Sequence, residues 1–138
     1  MLLAGDIGGT KTRLALYDEA NGSLRLATSS LYESRSATTL EEIVARFLKE
    51  SQNAAPRAAC FGVAGAVVSG QVEATNLPWR VTETGLATRL GIPRVRLLND
   101  LEAAAHGVMA ISDPGSLVTL QKGTPPSERR ALAMVSAG

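Results

Sequence analysis

The stretch Gly5-Asp6-Ile7-Gly8-Gly9-Thr10-Lys11 constrains the amino-terminal part of this chain more than any other. It lies between the apolar runs Leu2-Leu3-Ala4 and Leu14-Ala15-Leu16-Tyr17. Paired glycines permit backbone angles that other residues resist and allow a ligand to approach the main chain. Successive N–H groups in such a turn form a concave anion site suited to a phosphate. Asp6 ends the first strand as a carboxylate aimed at the same place, where a hydrated Mg²⁺ would accompany a nucleotide. An ordinary Gly-Gly hairpin with an exposed Asp is the alternative that these residues leave open.

Two familiar phosphate sites do not fit. A P-loop needs glycine just before its lysine and opens a helix, but Thr10 precedes Lys11. The residues Thr12 to Asp18 alternate polar and apolar, which is the period of a strand. Asn21-Gly22 then marks a hairpin between alternating runs. No G-x-G-x-x-G is present either. The arrangement is strand, glycine turn, strand, so a hairpin and not a helix N-terminus would hold the anion.

Charge and cysteine usage narrow the partners. Fourteen Lys and Arg nearly cancel thirteen Asp and Glu in the 138 residues, so no basic field marks a nucleic-acid or anionic-membrane partner. Cys60 is the only cysteine and His106 the only histidine, which removes an internal disulfide and starves a zinc site of ligands. No charged leader and no apolar run of spanning length is seen, so the expectation is a cytoplasmic protein with no membrane partner.

Further along, Ser23 to Leu31 reads as a third strand and Ser34 to Thr38 as a polar connection. Thr39 with Glu42 is a capping-box signature, and Leu40, Ile43, Val44, Phe47 and Leu48 recur on one helical face. Arg57 to Val63 is a nearly continuous apolar run, predicted as a strand buried on both faces beside the first hairpin. Gly62-Val63-Ala64-Gly65-Ala66 makes a second glycine turn, and Val67 to Glu73 reads as a short hairpin centred on Ser69-Gly70. Asn76-Leu77-Pro78-Trp79 reads as a rigid loop whose Trp79 packs against the core or meets a ligand. Thr82 caps a helix from Glu83 to Leu90, which Gly91 stops. Arg94 to Leu98 is the next strand and delivers Asn99-Asp100 to the start of a helix running to Met109. Polar side chains at that position occupy the ligand crevice of an open α/β sheet, or else simply cap the helix. Ser112-Asp113-Pro114-Gly115 is a hinge-like break, with Ser116 to Gln121 and Arg130 to Ser136 predicted as two strands. Two strands bury little on their own. The expected division is therefore a small α/β domain over 1–111 and the truncated start of a second domain over 112–138, the front of something larger.

In this order the motifs resemble a known family. Leu3 to Thr12 is similar to the first phosphate motif of the sugar kinase and actin-like ATPase superfamily. Gly62-Val63-Ala64-Gly65, Asn76-Leu77-Pro78-Trp79 and Leu97-Leu98-Asn99-Asp100-Leu101-Glu102-Ala103 follow at the spacings of bacterial ATP-dependent glucokinases. The resemblance implies an α/β, ribonuclease H-like small domain, with a mixed sheet of three antiparallel strands followed by parallel ones. It further implies that Gly5, Asp6, Ile7, Gly8, Gly9, Thr10 and Lys11 form the loop around the ATP phosphates, and that Asp6 organises Mg²⁺ through water. Asn99 is implied to bind sugar hydroxyls, with Asn76 as a weaker candidate. Asp100 is implied to be the base that takes the proton from the 6-hydroxyl of glucose. A single carboxylate beside the acceptor suits phosphoryl transfer, where the protein mainly positions and neutralises.

Family members are more than twice this length, and their second domain supplies further sugar contacts and the adenine pocket. The expectation is a glucokinase parent whose 138-residue portion is inactive alone. The competing expectations are a non-catalytic sugar-binding or regulatory module, a kinase for another hexose, or a self-associating lobe that forms a homodimer through exposed apolar surface.

Overall fold

A computed structural model describes residues 1–52, 54–111, 113–123 and 133–135. Its centre is a mixed five-stranded sheet in the order β3-β2-β1-β4-β7. Strands β1 (Leu2–Ile7), β2 (Lys11–Ala20) and β3 (Ser23–Glu33) form an antiparallel meander. Strands β4 (Ala58–Val63) and β7 (Val95–Asn99) then add parallel to β1. The expected three antiparallel and then parallel strands are thus present. Asn21 and Gly22, both with positive φ, make the β2–β3 turn, and the register slips at Leu16/Tyr17, leaving Ala27 unpaired.

Alternation along the strands sorts the two faces. Leu3, Ile7, Leu14, Leu16, Phe61, Val63 and Leu97 point to one face and form the core with α1 (Leu40–Glu50) and α2 (Glu83–Leu90). Helix α1 contributes Leu40, Ile43, Val44 and Phe47, the periodic residues of the sequence. Thr39 Oγ1 accepts from Glu42 N at 3.3 Å, but the Glu42 carboxylate returns to Thr38 N at 2.9 Å, one residue outside the expected box. Thr82 Oγ1 accepts from Gly85 N at 3.0 Å, and Gly91 closes α2 with φ +66°.

The opposite face carries α3 (Asp100–Met109) over β4 and β7. This contact is close because neither partner has bulk: a Cβ at Gly62 would lie 3.0 Å from Ala103 Cβ. On β4 the two-sided burial expected for Arg57 to Val63 is incomplete, since Cys60 on the α3 face is exposed. Short side chains on α3 leave it open.

Of three further expectations, two change and one holds. Ser69 and Gly70 do form a turn, with Val68 N donating to Gln71 O at 2.9 Å. The longer partner of β5 (Gln71–Glu73) is β6 (Arg80–Thr82), which the sequence hides because it runs directly into α2. Trp79, just before β6, is 3% exposed, as core packing requires, although its indole N–H meets no acceptor among the described residues. Finally, the predicted strand Ser116 to Gln121 is absent. Pro114–Ser116 is a 3-10 turn and 117–121 has no strand partner among the described residues, with Val118 and Leu120 exposed. Alternation alone cannot supply a neighbour for the backbone N–H and C=O groups. Most of the predicted strand Arg130 to Ser136 lies outside the described residues, and 133–135 carries no strand.

The edge strand β7 is met on its outer side by a side chain. Leu97 N donates to Glu83 Oε1 at 2.9 Å, and Arg96 Nε stands 3.8 Å from the same oxygen.

Candidate functional site

Parallel β1, β4 and β7 end together. Ile7, Val63 and Asn99 share one row of the register, so Gly8, Ala64 and Asp100 all leave the carboxyl edge of the sheet. Asp6 pairs with Gly62 and points to the α3 face, opposite Leu3 and Ile7. Asp100 opens α3 on that same face, its Cα 3.7 Å from where a Gly62 Cβ would stand. Asp6 and Asp100 therefore lie on either side of β4, with Asp6 one strand spacing of about 4.8 Å from Gly62, and β4 has no side chain at the point between them. Asp6 is exposed and Asp100 half-buried, and the Asp6 carboxylate has no protein partner among the described residues.

The turn itself is shorter than the sequence motif. Gly5, Asp6 and Ile7 belong to β1, leaving Gly8-Gly9-Thr10 as the connection to β2. Ile7 is buried in the core. Gly5 is needed for packing, since a Cβ there would come 2.4 Å from Phe61 Cδ1. At both positions the side-chain direction faces the core, so any contact with a phosphate would run through the main chain. Gly8 N donates to Lys11 O at 2.9 Å. The N–H groups of Gly9 and Thr10 meet no acceptor among the described residues, which is the donor set an anion needs. The Lys11 ammonium is paired with Glu33 across the β2–β3 ladder at an exposed position.

Asn76, with φ +63°, rests against the turn, its Cβ 3.2 Å from where a Gly9 Cβ would be. The fold thus brings Asn76 to the same edge as Asp6. Asn99 is doubly engaged. Its Oδ1 accepts from Leu101 N at 3.0 Å, capping α3, while its Nδ2 donates to Gly65 O at 2.9 Å. The amide still has one N–H and one acceptor lone pair for a ligand. Capping and ligand contact are therefore compatible at Asn99. Asp100 Oδ1 also accepts from Leu101 N, at 2.9 Å, which leaves the other carboxylate oxygen unengaged among the described residues.

Two residues not singled out in the sequence join the site. Arg13 stands opposite Asp6 in the β1–β2 register, a cation beside the carboxylate. Ser34, completely buried, contacts the turn from the end of β3. Arg13 was hidden because strand alternation alone makes it an ordinary exposed position; Ser34 was hidden by its distance along the chain.

Among the described residues no cluster of His, Cys, Asp and Glu could cage a metal unaided. Mg²⁺ needs no such cage: it keeps most of its waters and takes one or two carboxylates together with substrate phosphates. Asp6 and the free turn amides fit such a complex. A surface concavity of about 550 Å³ lies elsewhere, between Ala66, Val68, Gln71, Glu73 and Arg80. We place the site at the sheet edge, where the carboxylates and free amides converge, because the concavity offers no comparable chemistry.

Cys60 is a free thiol on the α3 face of β4. Partial burial pushes its thiol up, with nearby Arg96 opposing only in part. A raised pKa means less thiolate at a given pH, so alkylation by iodoacetamide should be slower than that of a free cysteine at the same pH, with its midpoint displaced upward. A midpoint at or below that of a free cysteine would contradict this environment.

Comparison with known proteins places this geometry in context. A family model described as Glucokinase matches residues 3–138. The glucokinase of Trichormus variabilis is 39% identical over 140 residues, covering 100% of this chain and 40% of that protein. The glucokinase of Caulobacter vibrioides is 37% identical over 103 residues, covering 75% of this chain and 31% of its own length. Among solved structures, a glucokinase from an Antarctic psychrotroph superposes with TM-score 0.76 at 26% identity, over 91% of this chain and 40% of that one. Glucokinase from Balamuthia mandrillaris in complex with glucose gives TM-score 0.53 at 26% identity, over 78% of this chain and 31% of that one. The chain spans about 40% of the length of the first curated relatives it matches.

Proposed function

The chain belongs to the glucokinase family, and on that premise we propose that its full-length protein phosphorylates glucose at the 6-hydroxyl with ATP and Mg²⁺, in the cytoplasm. The single observation that carries the reading is the common edge: the free amides of Gly9 and Thr10, Asp6 and Asp100 all leave the carboxyl ends of adjacent strands.

In this reading the turn amides bind phosphate oxygens, and Asp6 holds the waters of the metal. ATP with Mg²⁺ supplies the transferable phosphoryl group and neutralises its charge. Asn99 and Asn76 bind sugar hydroxyls, and Asp100 orients the acceptor hydroxyl and receives its proton as the oxygen attacks. Nothing in the described residues forms an opposing wall over this edge. Closure over the substrate, which excludes water and completes the constellation, is therefore assigned to the remainder of the full-length protein.

The test is a coupled assay of the full-length protein against glucose, mannose, fructose and N-acetylglucosamine, alongside the 138-residue chain alone. The expected result is turnover with glucose as the best acceptor for the full-length protein and none for the short chain. Absence of glucose-dependent ADP release by the full-length protein would overturn the reading. Faster turnover with another hexose would redirect it to that sugar.

A further inference from the structure

Ser34 lies 26 residues from Gly8 in sequence, yet it is tied to the glycine turn by two hydrogen bonds and to Thr12 at the start of β2 by a third. Its hydroxyl donates to Gly8 O at 2.7 Å. A serine hydroxyl has one proton, so the 2.9 Å contact with Thr12 Oγ1 must be donated by Thr12. Its own N–H donates to Thr10 O at 2.9 Å. Both Ser34 and Thr12 are fully buried, so water cannot replace these bonds. With Gly8 N bound to Lys11 O, the turn has its carbonyls drawn inward, and the Gly9 and Thr10 N–H groups are the ones left without an internal acceptor.

We propose that Ser34 is a positioning residue for the phosphate-binding turn. Through its hydroxyl on the Gly8 carbonyl and its N–H on the Thr10 carbonyl, it holds the turn with its free amides already aimed outward. A bound nucleotide then meets an ordered turn and does not have to order it. This inference rests on the kinase reading for the identity of the anion, but its structural half stands apart from it.

The experiment uses the full-length protein, with Ser34→Ala, Ser34→Cys and Thr12→Val. Binding of MgADP and of glucose is measured separately by calorimetry, and amide hydrogen exchange is followed at Gly8 without nucleotide. Loss of one buried hydrogen bond corresponds to roughly a tenfold change. Ser34→Ala should weaken MgADP about tenfold while leaving glucose affinity unchanged, and should speed Gly8 exchange by a similar factor. Ser34→Cys keeps the shape with a weaker donor and should fall between, which preserves the test if the alanine variant does not fold. Thr12→Val leaves the Ser34–Gly8 bond in place and should change MgADP affinity by no more than about twofold.

The proposal is overturned if folded Ser34→Ala binds MgADP like the parent, or if MgADP and glucose weaken together. It is also overturned if Thr12→Val costs as much as Ser34→Ala, for the hydroxyls would then only fill space. Should the unsubstituted protein bind no MgADP, the kinase reading fails on its own. Gly8 exchange still judges Ser34 in that case: acceleration in Ser34→Ala but not in Thr12→Val supports it, and equal rates refute it.

Discussion

Replacing Asp100 by Asn in the full-length protein should lower kcat by about 10²- to 10⁴-fold, the usual contribution of a general base. The exchange is isosteric, and the amide oxygen can still accept from Leu101 N as the carboxylate oxygen does at 2.9 Å. The start of α3 should therefore keep its place over Gly62, and Asn99 its cap on the same N–H. What is lost is the ability to take a proton from the acceptor hydroxyl. Glucose binding, measured directly by calorimetry, should remain within a few-fold of the parent, so the loss falls on kcat and not on affinity. Turnover within tenfold of the parent would show that another group accepts the proton, and the role given to Asp100 would be withdrawn.

The second large effect is on folding. Gly65→Ala should destabilise the chain by about 3 kcal/mol or more, because it adds steric conflict to backbone strain of the 1–3 kcal/mol class. Gly65 has φ +155°, where L side chains rarely sit, and a Cβ there would lie 2.8 Å from the Glu73 carbonyl oxygen and 2.9 Å from Val72 Cγ2. The first obstacle is main chain and cannot rotate aside. The residue is also a junction. Its carbonyl receives Asn99 Nδ2 at 2.9 Å, and next to it Ala64 N donates to Ile7 O at 3.1 Å while Ala64 O accepts from Thr75 N at 2.9 Å. A shift at Gly65 thus reaches the ends of β1 and β7 and the loop bearing Asn76 together. Thermal unfolding followed by circular dichroism should show a midpoint lowered by roughly 10 °C or more. An unchanged midpoint would mean that this turn relaxes far more freely than its contacts allow.

Features governed by near neighbours were legible in the sequence. The meander followed from alternation and Asn21-Gly22, and α1 from the spacing of Leu40, Ile43, Val44 and Phe47. The ends of α2 followed from Thr82 and Gly91, and the Asn99 cap from residue type alone. Features governed by distant contacts were not. Ser34 looked like loop because Gly8 and Thr12 are 26 and 22 residues away. Gly5 looked like part of a phosphate loop, while the reason for glycine there is the Phe61 ring on the neighbouring strand. Strand β6 escaped because three residues before a helix cap carry no period. Ser116 to Gln121 misled in the other direction: it has the composition of a strand, but no partner among the described residues takes up its backbone groups.

Because the Glu83 carboxylate already occupies the Leu97 N–H, the β7 margin of the sheet has one donor fewer to offer a neighbouring chain. The eleven residues of β3 form the other margin, with Leu24, Leu26 and Leu31 exposed along it. Any zippering between molecules, from a functional contact to the first step of aggregation, is thereby biased toward one flank, away from the carboxylates, and a lysine at Leu26 would be the economical way to block it.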